Sequence, residues 1–257
     1  MPETDNNILH ALYRRVIGEH PGEDAKKFIG HLTLIGVSFA FAKVISSLTT
    51  IAAGRMLGPQ EYGKVNLMVS TGAAISAFLL GGMQYSVVRY GSEEERRRAI
   101  FSTAAVTSLA LTCVIVALVV IFSPFWCRVL GISRDILFLA VLYAVATAAF
   151  LLVSSMQQSL GAFSKRGKSE ILFSFILASA FFLGVLYFGR VYKAMAGAYM
   201  AAFGGMALFW LVKLKHYVRL SDFSKSSFFL MSEYGFYNFG GGVGFFFIMN
   251  VQAIMKR

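Results

Sequence analysis

The sequence predicts an all-α protein, a polytopic bundle of membrane-spanning helices. Three observations predict it. Hydrophobic residues make up 57% of the 257-residue chain and charged residues 14%, against roughly 25% charged in an ordinary soluble domain. The mean hydropathy is +0.65, a surplus too large for one soluble core. That surplus sits in long uncharged runs, with the charges gathered between them. A soluble enzyme domain, a disordered chain and a disulfide scaffold are excluded. Strands of a membrane barrel would alternate over ~10 residues. These runs do not alternate, so the spans are helices.

Residues 1–27 are polar and lack the apolar core of a signal peptide, so the first membrane helix is expected to be the insertion signal. Ile8, Leu12 and Val16 recur there at helical spacing beside Arg14 and Arg15. This is either an interfacial helix lying on the membrane or a solvated tail. Seven apolar stretches follow, at 28–54, 64–88, 99–125, 133–160, 170–190, 194–213 and 234–255. Each is near the ~20 residues that cross ~30 Å of hydrocarbon at ~1.5 Å per residue. The chain divides into a tail (1–27), six helices (28–213), and a linker with a seventh helix (214–257).

Charge sets the expected orientation. Arg14, Arg15, Lys26, Lys27, Arg89, Arg96, Arg97, Arg98, Lys165, Arg166, Lys168, Lys213, Lys215, Arg219 and Lys225 fall on one side, fifteen in all. Arg55, Lys64, Arg128, Arg134, Arg190 and Lys193, six in all, fall on the other. The positive-inside rule then puts the N-terminus, residues 1–27 and the 214–233 linker in the cytoplasm. The bias accounts for most of the net charge of +11, so no nucleic-acid partner is expected. Cys113 and Cys127 belong to one apolar run, and no bridge between them is expected. The chain stops at Met255-Lys256-Arg257, where the seventh stretch ends. That ending has two readings, a chain closing on its last span or one cut short.

Lys43 is the most informative residue. It lies mid-way along the first stretch, too deep to reach an interface easily. A cation there costs about 3 kcal/mol or more facing lipid. It is expected to face a cavity, where it attracts an anionic substrate, or to bond carbonyls of a neighbouring helix. Gln84, Gln157, Gln158, Asn238, Asn250 and Gln252 lie within or near spans, where amides often link helices. Glu233 and Asp222 are expected to be solvated, as is the Glu93–Arg98 turn. Gly197, Ala201 and Gly205 recur every four residues and predict a small-residue packing face.

Two glycine-rich strings fail as nucleotide sites. Gly240-Gly241-Gly242-Val243-Gly244 lies inside an apolar stretch, and bending of that helix is its plainer use. Gly161 and Gly167 have five residues between them ahead of Lys168-Ser169, one more than a phosphate loop, with no strand before them. ATP is therefore not expected to drive this chain directly. None of the four histidines has a metal-spaced partner. No catalytic constellation appears, and neither an enzyme nor a cofactor is expected.

The string Ala53-Gly54-Arg55-Met56-Leu57-Gly58-Pro59-Gln60-Glu61-Tyr62-Gly63 ends one helix at Gly58 and starts the next at Pro59. It also resembles the signature after the first helix of Wzx-like polysaccharide flippases, the polysaccharide biosynthesis proteins of the MATE/MOP exporter superfamily. Gly81-Gly82 through Arg89-Tyr90 resembles the end of that family's second helix, and Gly161-Ala162-Phe163 its fourth-to-fifth helix turn. The resemblance covers residues 28–257 and implies two six-helix lobes, the second repeating the first. This chain would hold the first lobe and the opening helix of the second, as an N-terminal portion of such a protein. An acidic residue that the family often carries near the position of Gln252 is absent here.

The implied function is movement of an undecaprenyl-diphosphate-linked oligosaccharide from the inner to the outer leaflet by alternating access. It serves cell-surface polysaccharide such as lipopolysaccharide O-antigen. The implied location is a bacterial or archaeal plasma membrane. Lys43, then Arg55 and Arg89, are the expected anion contacts, with Gln84 in the same substrate-binding set. Arg89 serves equally as an interfacial anchor. Implied partners are the lipid-linked oligosaccharide, membrane lipids, and other polysaccharide-assembly membrane proteins or a missing second half. The rivals are a multidrug/cation antiporter of the same fold, which predicts acids deep in the first six stretches where none is found, an O-antigen-type polymerase or ligase, and a truncated non-transporting remnant.

Overall fold

The structure, a computed structural model, describes residues 23–255, with backbone alone at 23–29, 31, 32, 34, 163, 220 and 241–255. Residues 8–16, where the interfacial helix was expected, lie outside it. The described residues form eight α-helices and no strand. They are α1 (Glu23–Leu80), α2 (Met83–Tyr90), α3 (Arg97–Ile121), α4 (Ser123–Leu130), α5 (Arg134–Ser159), α6 (Phe163–Phe188), α7 (Tyr192–Leu214) and α8 (Lys225–Met255). Two 3-10 turns, Lys215–Tyr217 and Leu220–Asp222, link α7 to α8.

Five segments are long and apolar enough to cross a membrane, and the first, Ile35–Leu80, has 46 residues. A straight helix of that length would measure ~69 Å, more than twice the hydrocarbon thickness. It is not straight. Gly58 has φ 76° and ψ 168°, and Pro59 follows without an N–H. That φ is left-handed, which glycine adopts at no steric cost. The chain folds back on itself there. Before the turn, Gly167 packs against Ser38 and Ser174 against Ala42 and Ser46, so this arm runs parallel to α6. After it, Gly72 meets Tyr143, and further on Gly91 meets Ser159. Ser38 and Gly91 thus lie beside the two ends of the α5–α6 turn, at the same end of the bundle.

Among the described residues these five segments make six crossings, the two arms of α1, α3, α5, α6 and α7; the seventh expected stretch, 234–255, falls in α8, whose side chains from 241 on lie outside the described ones. The second arm runs on into α2 after Gly81 and Gly82, both at positive φ. α5 is the most buried span. It starts at Ser133, whose Oγ accepts from the Ile136 N–H at 3.5 Å, with Asp135 in its first turn. Around it lie two apolar clusters. One, near the Gly58 turn, holds Leu57, Met68, Leu137, Phe181 and Met195. The other, at the opposite end, holds Leu80, Phe101, Met156, Leu214 and Met231. Outward faces stay apolar: Ile121, Leu183, Leu186 and Val212 are all exposed. So much contiguous apolar surface fits a lipid solvent and not water. The protein is an all-α polytopic membrane bundle.

Several boundaries differ from those the hydropathy predicts. The loop expected at 55–63 narrows to a turn at Gly58 between two helical arms, where the Gly58-Pro59 pair is expected to end one helix and start the next. The stretch 99–125 breaks at Phe122, where Pro124 helps start α4. α6 begins at Phe163 and not at 170, so Lys165, Arg166 and Lys168 are helical. α8 begins at Lys225 and not at 234, and stays helical through Gly240–Gly244. Hydropathy misses these starts because amphipathic first turns carry charge while their backbone is already helical.

The expected packing face Gly197-Ala201-Gly205 needs correction. All three residues are exposed, and nothing lies within 4 Å of a Cβ built at Gly197 or Gly205. The buried face of α7 carries Ala194, Ala198 and Ala202 instead. Gly184 of α6 approaches it, with the Ala194 carbonyl 3.0 Å from a Cβ there.

Candidate substrate cavity

A cavity of about 490 Å³ opens between the first arm of α1, α6 and α7. Small residues set its geometry. Gly167, Ser174, Ser38 and Ser46 let α1 and α6 approach closely. The Ser174 hydroxyl donates to the Ala42 carbonyl at 2.9 Å and lies 3.0 Å from the Ser46 hydroxyl. Lys43, one residue on from Ala42, therefore stands beside this seam, on the cavity wall. Among the described residues it has no hydrogen bond, and no carboxylate lies within 4.0 Å of it. Ser47 and Thr50 continue the wall one and two turns on.

The opposite wall is aromatic. Phe173 and Phe203 pack at a tilt with centroids 4.6 Å apart, and Phe203 also meets Tyr143 and Phe150 at 5.5 Å. Tyr199 packs edge-on to Tyr143 at 5.5 Å. Glu170 lines the same cavity and pairs with Arg166 at 3.0 Å, both side chains largely buried. Arg166 also lies over the Phe39 ring at 5.6 Å.

Of the four sequence-predicted residues, the structure brings Lys43 alone to this cavity. Arg55 is exposed and lies twelve residues on, ~18 Å along the helix axis, beside the Gly58 turn. Arg89 sits at the other end on α2, its guanidinium 4.5 Å from the Tyr234 ring and 5.4 Å from Tyr90. It joins α2 to α8. Gln84 belongs to the same short helix, its amide oxygen buried without a partner. Of the other amides, Gln157 is buried and takes a 3.5 Å bond from Ser169. Asn238 bonds the Tyr234 carbonyl of its own helix at 2.8 Å. Asn250 and Gln252 have no described side chains.

Sequence reasoning missed Glu170, which it placed at the edge of a span. A signal was available: Arg166, Glu170, Phe173, Ser174 and Leu177 share one helical face. It becomes visible only once α6 is known to begin at Phe163.

A model of the polysaccharide biosynthesis protein family matches residues 31–256. The chain belongs to that family. No curated protein and no solved structure matches it. The family match takes in every residue of the cavity and both helices of the α2–α8 junction. A polysaccharide biosynthesis protein with this fold thus carries, between its long apolar helices, an open cavity with aromatic rings on one wall and, on the other, the exposed Lys43, which has no carboxylate partner among the described residues.

Proposed function

We propose that this polysaccharide biosynthesis protein is a flippase. It moves an undecaprenyl-diphosphate-linked oligosaccharide from the inner to the outer leaflet by alternating access. The observation that carries the reading is Lys43, a cation without a carboxylate partner, lining a chamber of about 490 Å³ within the spans. That volume is in the range of small-ligand pockets, roughly 300–1,000 Å³. An unpaired ammonium at this depth is costly in lipid, and a diphosphate would neutralise it. Phe173, Tyr199 and Phe203 offer the flat apolar faces on which sugar rings stack, while the polyprenyl tail stays in the bilayer. Arg55 and Arg89, near opposite ends of the bundle, would meet the anion on entry or exit, with Gln84 beside Arg89. The fifteen-to-six charge bias supports a cytoplasmic N-terminus, with the Arg96–Arg98 end facing inward.

A cation antiporter of the same fold draws some support from Glu170, an acid on the cavity wall. Arg166 already neutralises it at 3.0 Å, so the uncompensated charge of the chamber is positive, which favours an anionic substrate.

The test is transport of a fluorescent lipid-linked oligosaccharide across vesicles holding the full chain. Lys43→Ala is expected to abolish it without changing helicity or Tm, and Lys43→Arg to restore part of it. Full transport by Lys43→Ala refutes the reading. Efflux of a cationic dye that depends on Glu170 supports the antiporter.

A further inference from the structure

A second groove, about 320 Å³, lies between α6 and α7 on another face of the same pair. It shares no lining residue with the Lys43 cavity. Lys165 and Lys168 come from the first turns of α6 and Lys213 from the last turn of α7. The two helices run antiparallel, since Gly184 meets Ala194 and Phe173 meets Phe203. Moving from these lysines toward the middle of the bundle, the groove meets Leu172 on α6 and Phe209 on α7, each 45% exposed. It is cationic at its mouth and apolar below.

Two features ask for an anion there. All three lysines are exposed, and none has a carboxylate within 4.0 Å among the described residues. Among the described residues no acid lines the groove, and Trp210 stands on its wall. Lys213 is held over aromatic faces, its Nζ 4.3 Å from the Phe209 centroid and 5.1 Å from that of Trp210. This keeps its charge at the mouth.

A free anion would satisfy the lysines and leave the Leu172–Phe209 slot empty. An apolar chain alone would leave three charges unanswered. We propose that the groove binds one anionic phospholipid of the surrounding bilayer. Its phosphate sits among Lys165, Lys168 and Lys213, and an acyl chain lies over Leu172 and Phe209. Basic pockets between spans at the membrane surface, with tryptophan at headgroup level, suit such a ligand. The site uses nothing from the Lys43 chamber and stands or falls separately from the flippase reading.

Native mass spectrometry of the full chain in detergent, titrated with cardiolipin, phosphatidylglycerol or phosphatidylcholine, tests it. The anionic lipids are expected to stay bound and phosphatidylcholine to leave. Lys165→Gln, Lys168→Gln and Lys213→Gln together are expected to weaken retention roughly a hundredfold, about fivefold per lysine. Arg96→Gln, Arg98→Gln and Lys225→Gln, which remove equal charge elsewhere, are expected to change it little. Circular dichroism of both triple variants checks folding. Unchanged retention by the lysine variant overturns the site, as does equal retention of phosphatidylcholine. Complete displacement by inorganic phosphate also overturns it, since the groove would then hold a free anion.

Discussion

At the scale of single residues, glycines separate by what surrounds them. Gly72 lies where a Cβ would come within 2.6 Å of the Tyr143 ring and 2.7 Å of the Ala140 carbonyl. The second of these is backbone and cannot swing away. Gly72→Ala is expected to destabilise the protein by about 1–3 kcal/mol, as overpacked cores do, and to lower Tm in detergent. Gly197→Ala and Gly205→Ala meet open space and are expected to leave Tm within a degree or two, or raise it through better helix propensity. An equal loss in all three would mean that α7 packs on its outward face after all. Lys43 shows the reverse relation. Its side chain touches little, yet its position makes it the residue on which transport is expected to turn.

Among the elements, the most informative join is between the Gly58 turn and the start of α7. Glu61 accepts from the Tyr192 N–H at 2.9 Å and pairs with Lys64. The Lys64 ammonium also lies 5.4 Å from the Tyr192 ring. A carboxylate from one helix thus caps the first turn of another, where free N–H groups favour negative charge. In sequence, Glu61 reads only as an acid in the first turn of its own helix. Glu61→Ala is expected to cost about 1–2 kcal/mol, the usual value of a lost cap. Glu61→Gln keeps an acceptor and is expected to cost less. Thermal unfolding of the two variants compares them, and equal losses would place the effect in the charge and not in the bond. At the opposite end, the α2–α8 junction depends on glycine. Gly82 lies against the Gly235 carbonyl, the Ser86 hydroxyl donates to the Met231 carbonyl at 2.8 Å, and Arg89 covers Tyr234.

For the whole molecule, the arrangement of charge becomes a prediction of topology. The Arg89–Arg98, Lys165–Lys168 and Lys213–Arg219 clusters meet at one end. Arg97 bonds the Gly91 carbonyl at 3.1 Å, Gly91 lies against Ser159, and the Arg219 N–H bonds Ser102 at 3.0 Å. With the native cysteines removed, a cysteine at Ser92 is expected to react with impermeant thiol reagents only from the cytoplasmic side. One at Arg190 is expected to react only from outside. The opposite pattern would invert the orientation and with it the proposed direction of transport.

The sequence alone determined the class of this protein. Uncharged runs near twenty residues have one solution in lipid, a helix that satisfies its own backbone, so composition and run length carried that conclusion. It also singled out Lys43, because the cost of a cation within an apolar span depends on its depth in that span and not on neighbours. The family was legible in the local string around Gly58. Tertiary structure decided which residues share a space. Ser46 and Ser174 meet across 128 positions of chain, and Glu170, Tyr199 and Phe203 reach the Lys43 chamber only because α6 and α7 pack beside the first arm. Arg55 and Arg89 carry the same charge as Lys43, yet the Gly58 reversal and the Gly81-Gly82 break hold them away from that chamber. Hydropathy and helical period are properties of neighbours along the chain. A cavity is a property of faces from different helices, and close packing at small residues selects which faces those are.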